Sequence, residues 1–141
     1  NNSLSDLNNA FTNKSFKILV KNGYQFQKPL IIYHTTNSNI WSKNINLRLD
    51  FEIEKNSSLR LIDLFNDTSE KNFLNIFYNF NLKENAILKN YKVDKFENRN
   101  IKYSFNNIDQ EKNSISETFI LSSGSKFFKN EINCNLRGKY S

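Results

Sequence analysis

A short polar segment built around one asparagine recurs three times along the chain, and it limits the folds open to the protein. The asparagines are Asn56, Asn85 and Asn113, so the copies follow one another after 29 and 28 residues. Each copy has two charged residues, then the asparagine, then a small residue. Because asparagine tolerates the left-handed backbone region and its side chain can bond the local backbone, we interpret each copy as a turn.

Residues before each turn alternate between apolar and polar, which is the pattern of a half-buried β-strand. The segments 47–53 and 74–82 precede the first two turns and alternate in this way. Before the third turn, we expect Ile101, Tyr103 and Phe105 to face the core and the residues between them to face solvent. The repeating unit is therefore a strand, a turn, a second strand and a linker.

A single unit of this kind cannot be stable alone. About six inward apolar side chains do not offset the conformational entropy lost when roughly 28 residues become ordered. Stacked units share backbone ladders and a continuous core, which is how repeat proteins become stable. The sequence therefore predicts an all-β solenoid, and its last pair of strands is expected over residues 127–128 and 132–136.

The first 36 residues have a different pattern. The segment 4–11 has apolar residues at helical spacing, with Ser3 or Ser5 as its cap. Strands are predicted over residues 16–20 and 30–33. Asn22-Gly23 makes a tight turn between them, and Pro29 opens the second strand.

We divide the chain into residues 1–36, with the helix and first strands, and residues 37–141, with the solenoid coils of the same domain. Residues 34–43 are rich in Ser, Thr and Asn, so we expect a connection there. Trp41 is its expected anchor.

The net charge of +6 and the isoelectric point of about 9.4 raise the question of nucleic-acid binding. Nucleic-acid surfaces gather Lys and Arg into one patch. Here the basic residues are scattered, and most lie beside an acid, as in Glu54-Lys55 and Glu111-Lys112. We therefore expect no nucleic-acid partner.

The remaining composition indicates a soluble intracellular protein. One cysteine excludes an internal disulfide framework and fits a reducing compartment. No stretch approaches the roughly 18 apolar residues of a membrane helix. The first ten residues lack the basic and apolar regions of a secretory signal. We expect no membrane association.

Residues that could carry chemistry are few and isolated. His34, the only histidine, has no partner nearby in sequence, so we interpret it as a hydrogen-bonded residue at a strand end. Cys134 alternates in phase with its apolar neighbours and is expected in the core. Asp63, Asp67 and Glu70 form an acidic cluster without a counterpart in another repeat. We therefore predict no catalytic, cofactor-binding or metal-binding residue, and no enzyme activity.

Four stretches of the chain resemble the SufB/SufD family, the scaffold subunits of the Suf system of iron–sulfur cluster assembly. These stretches are residues 4–11 with the following segment through Lys28-Pro29-Leu30, residues 54–63, residues 82–86, and Asn113-Ser114 through Gly124-Ser125 to Asn135-Leu136-Arg137-Gly138. Their order and spacing cover nearly the whole chain.

Within the family, the chain resembles SufD more than SufB. SufB places a cysteine just after the strand that corresponds to residues 59–64, whereas the matching run here, residues 63–67, has none. SufB also carries a cysteine shortly before its Leu-Arg-Gly stretch, as Cys134 does here. That second feature favours SufB, so both assignments stay open at this point.

The resemblance implies a right-handed parallel β-helix with a short N-terminal helix, located in the cytoplasm or, in a eukaryote, in a plastid. It implies a SufB-like paralogue and a SufC-like ABC ATPase as partners. We expect the chain to cover the family's core but not its C-terminal helical region. No family site residue falls on this chain, so the clusters that the complex assembles have no ligand here. In isolation, we expect the exposed end of the solenoid to favour homodimers.

Two other functions stay open. The first is a β-helix protein that binds or degrades polysaccharide, for which acidic pairs and exposed aromatic tracks on one face would be expected. The second is a homo-oligomeric structural solenoid without cofactor chemistry.

Overall fold

The structure is a computed structural model that describes residues 3–12, 14–35, 44–67, 72–96 and 100–138. Within these ranges, one short helix precedes nine strands. The elements are α1 (Ser3–Phe11), β1 (Lys14–Val20), β2 (Leu30–Thr35), β3 (Asn44–Ile53), β4 (Ser58–Asp67), β5 (Phe73–Leu82), β6 (Ile87–Phe96), β7 (Ile101–Gln110), β8 (Ile115–Ser123) and β9 (Phe127–Leu136).

Successive strands alternate between two parallel sheets. The odd sheet has the order β1-β3-β5-β7-β9, and the even sheet has the order β2-β4-β6-β8. Each strand pairs in parallel with the strand two positions later in the chain. The chain therefore winds as a β-solenoid of about four turns, and the predicted parallel β-helix with its short N-terminal helix is confirmed.

The three repeated asparagines form the turns between odd and even strands, as predicted. Asn56, Asn85 and Asn113 have φ angles of 54°, 59° and 57°, in the left-handed region. Asn85 donates from Nδ2 to Asn56 Oδ1 at 2.8 Å, and Asn113 donates to Asn85 Oδ1 at 3.2 Å. Gly23, with a φ of 72°, holds the corresponding position in the first coil, because Val20 pairs with Ile53.

The apolar core lies between the two sheets and is densest in β3, β4 and β5. Its largest members on these strands are fully buried, as the alternation predicted for β3 and β5. They include Leu49, Phe51, Ile53, Leu59, Leu61, Leu74, Ile76, Tyr78, Phe80 and Leu82. Phe51 and Phe80 stack with ring centroids 4.8 Å apart, so neighbouring coils continue one another's core.

The predicted inward face of β7 is wrong. The parallel register places Ile108 beside Phe80 and Asn106 beside Tyr78, so the inward face contains Asn106 and the residues in phase with it. Ile101, Tyr103 and Phe105 lie on the outer side of the odd sheet, where Tyr103 is nevertheless buried. Backbone pairing with β5 sets this orientation, and it overrides the preference of three apolar side chains for the core.

The end of the chain differs from the prediction in two ways. Residues 127–136 form one strand, β9, instead of two. Cys134 pairs with Ile108 and so lies on the inward side, as expected, but it is exposed instead of buried. In the described residues, the even sheet has no strand after β8 to lie opposite β9, so the inward side chains of β9 are not covered.

The predicted N-terminal helix and the first two strands are confirmed as α1, β1 and β2. Asn8, which is fully buried, anchors α1 by donating to the backbone oxygens of Leu47 at 3.4 Å and Asn75 at 2.8 Å. The boundary after residue 36 falls between the first and second coils, and the assignment of one domain stays a prediction. The side chains of the expected caps, Ser3 and Ser5, and the whole of Trp41 lie outside what the structure describes.

No helix in the described ranges has the length and hydropathy needed to cross a membrane.

Candidate functional site

The interior of the solenoid changes from apolar to polar along its axis. The first coils bury Leu, Ile and Phe, whereas the inward faces of β6 and β7 carry amides and charges. The buried polar cluster consists of His34, Asp63, Tyr78, Lys92, Asp94, Lys102 and Asn106. All of its members face inward, and they come from both sheets and four successive coils.

Asp63 accepts hydrogen bonds on both of its carboxylate oxygens. His34 Nε2 lies 2.6 Å from Oδ1, and the Tyr78 hydroxyl donates to Oδ2 at 2.5 Å. Burial alone would raise the pKa of Asp63, but the hydrogen bond with His34 and the charge of Lys92 outweigh burial and lower it. Burial and the charge of Asp63 raise the pKa of Tyr78 well above its ordinary value, so Tyr78 keeps the proton that it donates.

Lys92 is buried beside this group. Its Nζ lies 2.9 Å from the centroid of the Tyr78 ring and donates to Asn106 Oδ1. Burial lowers the pKa of Lys92 well below its ordinary value, and the charge of Asp63 opposes this shift only in part. Loss of the proton is therefore easier for Lys92 than for an exposed lysine.

Lys102 and Asp94 form a second buried pair. Lys102 Nζ lies 2.6 Å from Asp94 Oδ1, and the two side chains are 1% and 3% exposed. The ammonium group also lies over the rings of Phe65 and Phe96, 4.9 and 5.5 Å from their centroids. Desolvation of both charges opposes their mutual attraction, so this pair contributes little net stability but strongly penalises the loss of either partner.

Beside these pairs, several inward polar atoms on β6 and β8 have no hydrogen-bond partner among the described residues. They are both amide atoms of Asn90, Asp94 Oδ2 and the hydroxyls of Ser116, Thr118 and Ser122. Groups of this kind are those that ordered water satisfies inside proteins. This end of the interior is therefore polar and suited to hydration, in contrast to the first coils.

The structure brings His34 and Asp63 into contact, although the sequence analysis had treated them separately. His34 is hydrogen-bonded near a strand end, as predicted, and its partner is Asp63, which the sequence had placed in an acidic cluster. Asp63 turns inward instead, while the side chains of Asp67 and Glu70 lie outside what the structure describes.

Sequence reasoning missed Lys92 and Lys102, although the repeat carries a signal for Lys92. Tyr78 and Asn106 each lie seven residues before a turn asparagine, and Asp63 and Lys92 each lie seven residues after one. Equal distance from the turn means equal position in the coil. Counting from the turn would therefore have placed these polar residues beside one another inside the solenoid.

The cluster lies between the sheets, and its members compensate one another's charge and hydrogen-bonding capacity. In the described part of the chain, no group of three His, Cys, Asp or Glu side chains could hold a metal ion.

Comparison with protein families gives one match. The model of the family described as "SUF system FeS cluster assembly, SufBD core domain" matches residues 33–141, which is more than three quarters of the chain. Curated proteins and solved structures gave no match.

Proposed function

Because this chain belongs to the SufBD core family of the SUF system, we propose that it is a SufD-like, non-catalytic scaffold subunit in iron–sulfur cluster assembly. Its proposed partners are a SufB-like paralogue and a SufC-like ABC ATPase. Its proposed location is the cytoplasm, or a plastid in a eukaryote. The observation that carries the proposal is the family match over residues 33–141.

A scaffold role agrees with the chemistry of the described residues. The titratable groups with the strongest burial, such as Asp63 and Lys92, are enclosed between the sheets, where Lys92 is 2% exposed. Most exposed ion pairs of the described residues, such as Lys83 with Glu111 at 2.9 Å, join neighbouring coils. In this proposal the cluster is cargo of the complex, and no residue of this chain is assigned as its ligand.

The SufD-like assignment rests on the position at which SufB carries a cysteine. The matching residues, 63–67, contain none, and Asp63 within them pairs with His34. The exposed thiol of Cys134 is the feature that favours SufB. A Cys134→Ser variant of the full-length protein distinguishes the two, because a SufD-like subunit keeps cluster assembly without this thiol and a SufB-like subunit loses it.

The proposal is tested by affinity purification of the tagged full-length protein from its own cells, with the bound proteins identified by mass spectrometry. We expect a SufC-like ATPase and a SufB-like paralogue, both absent when an unrelated tagged β-solenoid is used. Recovery of neither would contradict the scaffold proposal.

The polysaccharide alternative is not favoured by the family match. Retention of the protein on a polysaccharide column, without either Suf partner in the purification, would reinstate it.

A further inference from the structure

The outer side of the even sheet carries two adjacent rows of apolar side chains. In the parallel register, one row consists of Ile31, Ile62, Tyr91 and Phe119, and the next consists of Tyr33, Leu64, Val93 and Leu121. We call these eight residues the outer apolar face. Five of them are between 39% and 56% exposed, and Ile62, Leu64 and Val93 are half-buried.

The outer apolar face is bordered by polar residues, and its border is mainly basic. Arg60, Lys89 and Glu117 form the row on one side, and Lys95 lies in the row on the other. Lys89 pairs with Glu117 at 3.1 Å. Arg60 and Lys95 have no ion pair with any carboxylate whose side chain the structure describes. An apolar centre with a polar rim is the arrangement found at protein interfaces.

The dimensions of this face select the kind of element that covers it. Neighbouring strands lie about 4.8 Å apart and the two rows about 7 Å apart, so the face extends about 14 Å across four strands. An α-helix rises about 5.4 Å per turn and is about 10 Å wide. One helix of about three turns, laid across the strands, is therefore long enough to span all four strands and wide enough to contact both rows.

Other elements fit less well. An added β-strand needs unpaired backbone groups, which are found at the edges of a sheet and not on its face. A second sheet would normally cover more than two rows. An anionic membrane would be attracted by the same basic border, so it is tested below as the competing occupant.

We propose that the outer apolar face binds an acidic amphipathic α-helix of a partner protein. The apolar side of the helix covers the two rows, and acidic residues on its flanks pair with Arg60 on one side and Lys95 on the other. This inference does not depend on the Suf assignment, because it rests on the register, exposure and charge of these side chains.

The test uses a fluorescein-labelled synthetic helix of about 14 residues, with Leu on one side and Glu on both flanks. Binding to the full chain is followed by fluorescence anisotropy. We expect saturation below about 1 mM peptide. A peptide with the same composition in scrambled order should not bind, and one with Lys in place of Glu should bind several-fold more weakly.

Variants locate the binding surface. Leu121→Ser and Ile31→Ser remove apolar side chains from different strands of the face, and each should weaken binding at least about fivefold. Leu19→Ser is the matched control, because Leu19 is 48% exposed but lies on β1 of the odd sheet. It should change binding less than about twofold. The double variant Arg60→Glu, Lys95→Glu should reverse the preference between the Glu and Lys peptides.

Several results would overturn the proposal. The first is equal binding of the ordered and scrambled peptides, or equal effects of Leu121→Ser and Leu19→Ser in folded variants. The second is a dimer in sedimentation experiments that Leu121→Ser dissociates and Leu19→Ser does not, because the occupant is then a second copy. The third is Leu121-dependent binding to phosphatidylcholine–phosphatidylserine vesicles without peptide binding. None of these results depends on which proteins the affinity purification recovers.

Discussion

At the scale of single residues, asparagine shapes the surface of this protein. Three asparagines hold the left-handed turns and hydrogen-bond to one another from coil to coil. A second row, on the outer side of the odd sheet, joins Asn107 to Asn79 at 3.0 Å and Asn133 to Asn107 at 3.1 Å. Because each amide can donate and accept, identical residues in register satisfy one another. The same residue type therefore serves turn geometry and the cohesion of coils.

We predict that Asn85→Ala destabilises the protein by about 1–2 kcal/mol, because alanine is strained in the left-handed region and cannot join the row of amides. Asn85→Gly should cost less than Asn85→Ala, since glycine keeps the backbone conformation and loses only the amide bonds. Urea denaturation of the two variants checks this. Equal losses would mean that backbone strain has no part in the effect.

The buried lysine gives a pH-dependent prediction. The pKa of Lys92 is lower in the folded protein than in the unfolded chain, where it is about 10.4. Between the folded and the unfolded pKa the unfolded chain binds more protons, so stability should rise with pH up to about 10. Lys92→Met should remove this part of the rise and cost about 1–3 kcal/mol at pH 7, because Asp63 and Asn106 lose a buried partner.

Urea midpoints measured across that pH range provide the check. Lys95→Met is the control, because Lys95 lies on the same strand but is exposed. A Lys92→Met variant with the same pH profile as the wild type would show that Lys92 stays charged in the folded protein.

At the scale of the element, pairing between coils decides the orientation of each strand. The turn Asn113 fixes β7 against β5, and this register places polar Asn106 inside and apolar Phe105 outside. Charges follow the same rule, because Glu84 lies 3.3 Å from Lys55 and 3.6 Å from Lys112, in the coils on either side. These exposed pairs contribute little to the free energy of folding. They join equivalent positions of successive coils, as the asparagine pairs do.

Adjacent residues of β4 test the assignment of inner and outer faces. Leu61 is fully buried, whereas Arg60 is exposed. Leu61→Asp should cost more than about 4 kcal/mol, because it buries an unpaired charge and leaves a cavity. Arg60→Asp should stay within about 0.5 kcal/mol of the wild type. Thermal unfolding followed by circular dichroism measures both, and similar shifts would contradict the assignment.

The accuracy of the sequence-based prediction varied along the chain for a physical reason. Strands β3 and β5 were predicted well because their inward residues are apolar, as in the alternation of Leu49, Phe51 and Ile53. The polar interior was not predicted, because alternation cannot distinguish an inward Lys102 paired with Asp94 from an outward lysine. The exposure of Cys134 depends on whether another strand lies opposite β9. The alternation of residues within β9 carries no information about that.

At the scale of the whole molecule, stability should vary along the solenoid axis. Strand β5 is paired on both sides and its inward side chains are fully buried, whereas β1 and β9 are each paired on one side among the described strands. In a stack of repeats, each coil is stabilised mainly by its neighbours. The central coils should therefore open least often.

Hydrogen exchange followed by mass spectrometry tests this expectation. Backbone amides of β5 should exchange at least about tenfold more slowly than those of β1 and β9. Local opening at the ends breaks fewer contacts and therefore costs less free energy. Equal exchange in all three strands would indicate that the solenoid unfolds as a single cooperative unit.

The edge of the solenoid that carries the three asparagine turns has a consequence for how the gene can lengthen. Three successive coils have four residues between the odd and the even strand, 54–57, 83–86 and 111–114. The opposite edge varies, with 36–43, 68–72, 97–100 and 124–126 between strands. Duplication of 28 or 29 codons would add one coil with both rows of asparagine in place, whereas small insertions should accumulate at the variable edge. The asparagine turn, which has a constant length, thus sets the length of the repeat that a duplication would have to copy.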